Sequence, residues 1–317
     1  MPSYSGVWTL VQQLQANAAG NWPSPPLNRA VFGGGMASGF VDRNTMDYIT
    51  TSSTGNATTF GSLTTARTGV AGCSSTTRGL FAGGTPGGGQ IDYITLATTG
   101  NATSFGNAGG VDYFGAASSS TRGVFGGGSS TPISDMYYVT IATTGSGTYF
   151  GALTVARKQL AGCSSPTRGV FGGGNASSGF SVSNVLDYIT IDSTGNATDF
   201  GDLTVSRSGT SACSTSTRGV WAGGSTGGMS SVMDYVTIAT TGNAVSFGNL
   251  GLSRQLLAAA SNGNTGVFAG GNNGASAFYS QIDYVDLSTT GNTTYFGALS
   301  VARFGLGACS SAHGGLS

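Results

Sequence analysis

The chain is 317 residues long and carries 12 basic and 12 acidic side chains, so its formal net charge is zero. Only 8% of residues are charged, every acid is Asp, and Lys158 is the single lysine beside 11 arginines. With Glu absent and 56 glycines, a helical protein is excluded, and zero net charge argues against nucleic acid or an anionic membrane surface as the main partner.

The first 27 residues stand apart from the rest. Trp8 and Val11, extended by Leu14, fall on one stripe of a short predicted helix from about Ser5 to Asn17. Pro23, Pro25 and Pro26 then make a stiff linker. The first positive charge is Arg29, so the charged n-region of a secretory signal is not expected, and no apolar run approaches the ~20 residues of a membrane span. Residues 1–27 are read as an anchor or linker segment, with Trp8, Val11 and Trp22 as candidate contacts to a larger assembly.

From residue 28 the sequence repeats. A block of an aromatic followed by Gly/Ala-Gly-Gly starts at Phe32, Phe81, Phe125, Phe171, Trp221 and Phe268. A second block, usually Asp-Tyr-Ile/Val, centres on Tyr48, Tyr93, Tyr138, Tyr188, Tyr235 and Tyr284. A third, Phe-Gly, falls at Phe60, Phe105, Phe150, Phe200, Phe247 and Phe296, always 12 residues after the Tyr. An Arg follows after 7 more residues, at Arg67, Arg157, Arg207, Arg254 and Arg303, and Asp112 replaces it once. The first block advances 236 positions from Phe32 to Phe268, or about 47 residues per repeat, the length of one four-stranded propeller blade.

Each repeat parses into four strands. Strand a is the Arg-led segment, such as Arg157–Cys163, and a Thr-Arg-Gly turn leads to strand b, which ends at Gly-Gly. The alternating, β-branched Tyr block is strand c; a Thr-Thr-Gly-Asn hairpin, with Gly-Asn supplying positive φ, gives strand d. The chain opens with strands b, c and d (28–63) and ends with an unaccompanied strand a. The expected fold is thus an all-β, six-bladed β-propeller over 28–317, its closing blade built from 28–63 plus 300–317.

The order of Arg, small-residue strand, Gly-Gly, Tyr and final aromatic resembles the kelch motif over about residues 28–311, with Phe in place of the Trp usual on the last strand. The near-identical Thr-Thr-Gly-Asn-Ala-Thr phrases, with the opening Ser5-Gly6-Val7-Trp8-Thr9-Leu10, resemble virion structural proteins of tailed phages infecting marine cyanobacteria. That resemblance implies a non-enzymatic virion component fixed to the tail or another part of the particle through residues 1–27. Its partners would be other virion proteins and a host-surface glycan. The alternatives are a purely architectural or capsid-decorating protein and a secreted carbohydrate-binding or carbohydrate-active propeller.

Comparison among the repeats locates two candidate sites. The b–c connection varies from 12 residues (Phe81 to Tyr93) to 17 (Phe171 to Tyr188), while the other spacings are nearly fixed. These loops emerge on one face of a propeller and hold Met36, Phe40, Arg43, Phe180, Met229, Phe278 and Tyr279, the candidate binding-loop residues. The five repeats with the strand-a Arg also have Asp before the Tyr, whereas the repeat with Asp112 has Tyr137 there. This covariation predicts structural ion pairs Arg67–Asp92, Arg157–Asp187, Arg207–Asp234, Arg254–Asp283 and Arg303–Asp47.

Other chemistry is sparse. Cys73, Cys163, Cys213 and Cys309 share one repeat position, where the other repeats are read as having Ser118 and Ala260, so they read as packed thiols rather than disulfides or metal ligands. The only histidine is His313, too little for a Ser-His-Asp arrangement or for the ligands of kelch-like copper oxidases. Asp192, Asp199 and Asp202 cluster in one repeat without a compact calcium-loop spacing and read as solvated turn acids. Glycine strings such as Gly33–Gly35 precede no helix, and most Asn-x-Thr triplets coincide with the predicted hairpins. No catalytic residue, cofactor or metal is expected.

Overall fold

The computed structural model describes residues 27–109, 112–274 and 276–316. Among them are six four-stranded antiparallel sheets, one three-stranded sheet and a single 3-10 turn at Gly314–Leu316. The fold is all-β and propeller-like. Trp8, Val11 and Trp22 lie outside the described residues.

Strands a to d of sheet I are Gly307–Ser310, Arg29–Gly33, Thr45–Thr50 and Thr58–Ser62; those of sheet II are Ala71–Ser74, Arg78–Ala82, Gln90–Thr95 and Thr103–Asn107. Sheet III comprises Gly115–Ser118, Arg122–Gly126, Asp135–Thr140 and Thr148–Ala152, and sheet IV comprises Ala161–Ser164, Arg168–Gly172, Val185–Thr190 and Thr198–Asp202. Sheet V follows with Ser211–Ser214, Arg218–Ala222, Val232–Thr237 and Val245–Asn249, and sheet VI with Ala258–Ser261, Thr265–Ala269, Gln281–Asp286 and Thr294–Ala298. In sheet I the C-terminal strand pairs with the N-terminal one, Val31 opposite Cys309.

The strand sequences explain their places. Strand b is covered on both faces and reads as an unbroken apolar run, its last four residues buried in every sheet. Each c–d pairing skips the Phe of Phe-Gly, a bulge that turns this ring inward. There it meets the Tyr of strand c edge to face, with centroids 5.8 to 6.1 Å apart in all six sheets. The constant Tyr-to-Phe spacing is the sequence trace of that contact.

Three details of the predicted strands are corrected. The Arg-led segment is not one strand: strand a starts at Ala161, not Arg157, because Gln159 has a left-handed backbone, φ 57°, that breaks it. Equivalent left-handed residues are Gly69, Tyr113, Gly209, Leu256 and Gly305. The Thr-Arg-Gly arginines open strand b rather than lying in the turn. In sheet III the segment after Asp112 is one residue shorter, so Ala117, not Ser118, occupies the cysteine position.

The Gly-Asn pair is also not a tight hairpin. Strands c and d are joined by seven residues, and this connection packs on strand d of the preceding sheet. Gly100 N–H donates to the Phe60 carbonyl at 2.8 Å, while the Asn101 side-chain oxygen accepts from Ser62 N–H at 3.1 Å. The same glycine contact recurs between every pair of neighbouring sheets, including Gly55 to Phe296 at 2.9 Å. Each outer strand edge is thereby covered by its neighbour, which removes a site for edge-to-edge pairing.

The second arginine of each repeat fastens sheets together. Arg29, Arg78, Arg122, Arg168 and Arg218 lie 4.3 to 4.4 Å over the Tyr ring of their own sheet. Each also donates to a carbonyl of the next sheet: Leu96, Ile141, Ile191, Ile238 and Leu287 respectively. Thr265 leaves this arrangement out between sheets VI and I. Arg168→Ala is expected to cost about 1–2 kcal/mol, checked by denaturant unfolding, from the lost ring contact and hydrogen bond.

Candidate interaction face

The b–c and d–a connections share one end of the sheets, here called the upper face, and the a–b and c–d turns share the lower face. The strand-a ends come together between these faces. The innermost strands of successive sheets are neighbours from II through VI, and strand a of sheet I neighbours those of VI and II.

At the upper end six backbone hydrogen bonds form a circuit. Gly69 N–H donates to the Gly305 carbonyl (2.7 Å), Gly305 to Leu256 (2.8 Å), Leu256 to Gly209 (2.7 Å) and Gly209 to Gln159 (2.8 Å). Gln159 donates to Tyr113 (2.7 Å), and Tyr113 returns to Gly69 (3.0 Å). Left-handed backbone suits the three glycines but strains Tyr113, Gln159 and Leu256, by about 1–2 kcal/mol each. These three side chains border the upper mouth of a channel between the strand-a segments, a cavity of about 70 Å³. Sequence reasoning passed over them, although three glycines at this repeat position were a signal that the other side chains there are unusual.

At the lower end the strand-a serines are linked in sequence. The hydroxyls of Ser118, Ser164, Ser214 and Ser261 donate to the carbonyls of Ser74, Ser118, Ser164 and Ser214, and Ser74 donates to Ser310 at 2.7 Å. Between the two ends the channel is lined mainly by Gly, Ala, Cys and Ser, with apolar side chains such as Phe114 and Leu160 and, at the lower end, His313, and no carboxylate is among these lining residues. Its cavities are 60 to 100 Å³, far below the ~300–1,000 Å³ of sites that engulf small organic ligands.

The exposed chemistry lies in the loops of the upper face. Residues Met36–Ala37 pair with Val41–Asp42 and with Arg303–Phe304, forming the three-stranded sheet, which is not among the predicted elements. Phe40, at the tip of this hairpin, is 68% exposed and has φ 58°. Its ring stands edge-on to Phe278 at 5.9 Å, and Phe278 stacks on the buried Phe304 at 5.2 Å. Met229 reaches from the loop of sheet V toward Gly274 in the loop of sheet VI. Tyr279 is half-buried and donates its N–H to the Gly271 carbonyl at 2.9 Å. Met36 and Arg43 are half-buried in the same hairpin, and Arg43 N–H donates to Gly35.

Loops of sheets V, VI and I thus join in one patch. Phe180, in the loop of sheet IV, is 59% exposed. Asp42 has a carboxylate oxygen with no described hydrogen-bond partner, and burial raises its pKa.

The scaffold under these loops is fixed by five buried ion pairs. Arg67–Asp92 (3.1 Å), Arg207–Asp234 (2.9 Å), Arg254–Asp283 (2.8 Å), Arg303–Asp47 (2.8 Å) and Arg157–Asp187 all have side chains at most 1% exposed. A hydroxyl steadies four of the carboxylates; Thr64 donates to Asp92 at 2.6 Å and Ser300 to Asp47 at 2.7 Å. Desolvation opposes both charges of a pair, raising the Asp187 pKa and lowering that of Arg157, and their attraction works against it. In sheet III, Tyr137 meets Tyr149 edge to face at 5.8 Å, and a Cβ at Gly109 would meet the Tyr137 ring at 2.8 Å. Tyr137 takes the carboxylate's position there, and Asp112, at the arginine's position, instead accepts a hydrogen bond from the Thr85 hydroxyl at 2.7 Å.

The four cysteines are free and buried. Burial pushes the Cys73 and Cys213 thiols up to about 12, so they are protonated near neutral pH. Cys213 packs against Gly266 of the next sheet, where an added Cβ would lie 2.9 Å from its sulfur. Between sheets VI and I, where Ala30 replaces that glycine, Ala260 replaces the cysteine and both belong to one core cluster.

Asp199 and Asp202 lie on strand d of sheet IV and Asp192 in the connection before it. No group of three or more His, Cys, Asp or Glu side chains suited to a metal occurs among the described residues, and no described helix is long and apolar enough to cross a membrane. His313 Nε2 lies 3.4 Å from the Ser118 hydroxyl and 3.1 Å from the Ser74 carbonyl. It must donate to that carbonyl, so it cannot accept a proton from Ser118 as a catalytic base would. No protein-family model matches the chain, and no curated protein is similar to it.

Proposed function

We propose that the protein is a six-bladed, closed, kelch-like propeller that serves as a non-enzymatic recognition module, presenting its upper-face loops to a surface glycan. The observation that carries this reading is Phe40. A bulky aromatic held 68% exposed on a left-handed backbone, braced by Phe278, is costly for folding and suits stacking on a partner. Support for six closed blades comes from the backbone circuit and the pairing of the terminal strands. A virion setting, with attachment through residues 1–27, rests on the phrasing of the repeats.

Phe40→Gly separates folding from recognition. The variant should be more stable than the parent by about 1 kcal/mol, because glycine relieves the left-handed strain. It should also lose adsorption of the labelled protein to host cells and to their purified surface polysaccharide. Undiminished adsorption by a Phe40→Gly, Phe278→Ala double variant would refute recognition through this patch and favour an architectural role. Immunogold labelling of purified particles tests the virion setting separately: absence of label would remove it.

A further inference from the structure

The lower mouth of the channel is not empty: residues 312–316 of the chain are seated in it. His313 donates from Nε2 to the Ser74 carbonyl at 3.1 Å and accepts the Gly315 N–H at Nδ1, 3.0 Å away. Both ring nitrogens are therefore used, in the neutral imidazole. The Ala312 carbonyl accepts from the Ser310 hydroxyl at 2.7 Å.

The next two residues fit only as glycine. A Cβ at Gly314 would overlap the carbonyl oxygens of Thr215 and Ser164, and one at Gly315 would overlap the carbonyl of Ser118. The segment thus touches backbone from sheets II, III, IV and V at once. The mouth itself is built without it, because the serine links from Ser310 through Ser261 do not involve these residues.

We propose that this mouth is a binding site for a His-Gly-Gly peptide, filled in cis by residues 312–316 and able to take the same segment in trans. The ligand class is a short peptide with a neutral imidazole followed by two unsubstituted glycines. This inference is independent of the upper face and of glycan recognition.

The site should also respond to acid. Burial lowers the His313 pKa from 6.5 to about 4, against the Ser74 carbonyl bond, which works the other way. The other titratable groups bordering the mouth are the thiols of Cys73, Cys163, Cys213 and Cys309, all raised by burial and neutral in acid. A docked imidazole with a depressed pKa is favoured above 6.5. Docking is lost as pH falls toward about 4, by about tenfold per unit, because only the released segment takes up the proton.

The test uses the chain truncated after Ser311, titrated with the peptide Ser-Ala-His-Gly-Gly-Leu. Saturable one-to-one binding at pH 7.5 is expected, with loss on replacing the second glycine by alanine and tenfold weakening per pH unit below 6.5. A folded truncated protein that ignores the peptide, or binds the alanine peptide equally well, would overturn the proposal. If truncation prevents folding, full-length Gly315→Val serves instead. Its C-terminal residues should be digested by carboxypeptidase much faster than those of the parent, and equal digestion rates would overturn the seated segment.

Discussion

Arg157→Met is expected to destabilise the protein by about 3–5 kcal/mol, the range for stranding one charge of a buried pair. Both side chains of Arg157–Asp187 are fully buried, so the variant leaves a carboxylate with its Thr154 hydroxyl but no cation. Desolvation already raises the Asp187 pKa, and removing the guanidinium raises it further. A carboxyl whose folded pKa lies above its unfolded value is stabilising at low pH and loses that contribution as pH rises. The defect should therefore be largest near neutrality and shrink as pH falls toward 4.

The double variant Arg157→Met, Asp187→Leu should recover most of the loss, since an apolar pair carries no desolvation penalty. Sheet III already does without the pair: Tyr137 stands at the carboxylate's position, and Asp112, at the arginine's, accepts from the Thr85 hydroxyl at 2.7 Å instead. Denaturant midpoints at constant slope are the measurement, and a loss below 1 kcal/mol for Arg157→Met at pH 7 would mean that the pair contributes nothing to the scaffold.

Gly61→Ala should cost about 3 kcal/mol, because its Cβ would overlap the Gly100 carbonyl across the contact between sheets I and II. Backbone stands on the other side, so no side chain can swing away. Gly100→Ala is the matched control: nothing lies within 4 Å of its Cβ, and its stability should stay within about 0.5 kcal/mol of the parent. Equal effects of the two substitutions, read as unfolding midpoints, would show that glycine serves chain flexibility here rather than close approach between sheets.

The sequence disclosed most where six copies could be compared. The Tyr-to-Phe spacing is fixed by an edge-to-face contact repeated in every sheet, so the strands bearing it were legible. The Arg–Asp covariation was legible because a buried charge cannot lose its partner singly, and Asp112 with Tyr137 shows both changing together.

Contacts between repeats were hidden. Gly-Asn looks like a hairpin because its second role, covering the edge of another sheet, lies outside its own repeat. Gln159 and Leu256 have left-handed backbones that their side chains do not announce, so strand a was read four residues too early in these repeats. The seated segment around His313 occurs once, and a feature without a second copy has nothing to be compared with. The Phe40–Phe278 contact joins loops from two ends of the chain and left no trace in the local pattern.

The central claim is that six repeats close into one circuit through the amides of Gly69, Tyr113, Gln159, Gly209, Leu256 and Gly305. Native-state hydrogen exchange measures it most directly. A closed circuit predicts that all six amides exchange together, at the slow rate set by global unfolding, with no difference at the seam where the terminal strands pair. Fast exchange at Gly69 and Gly305, with the other four protected, would contradict closure and leave an open row of sheets.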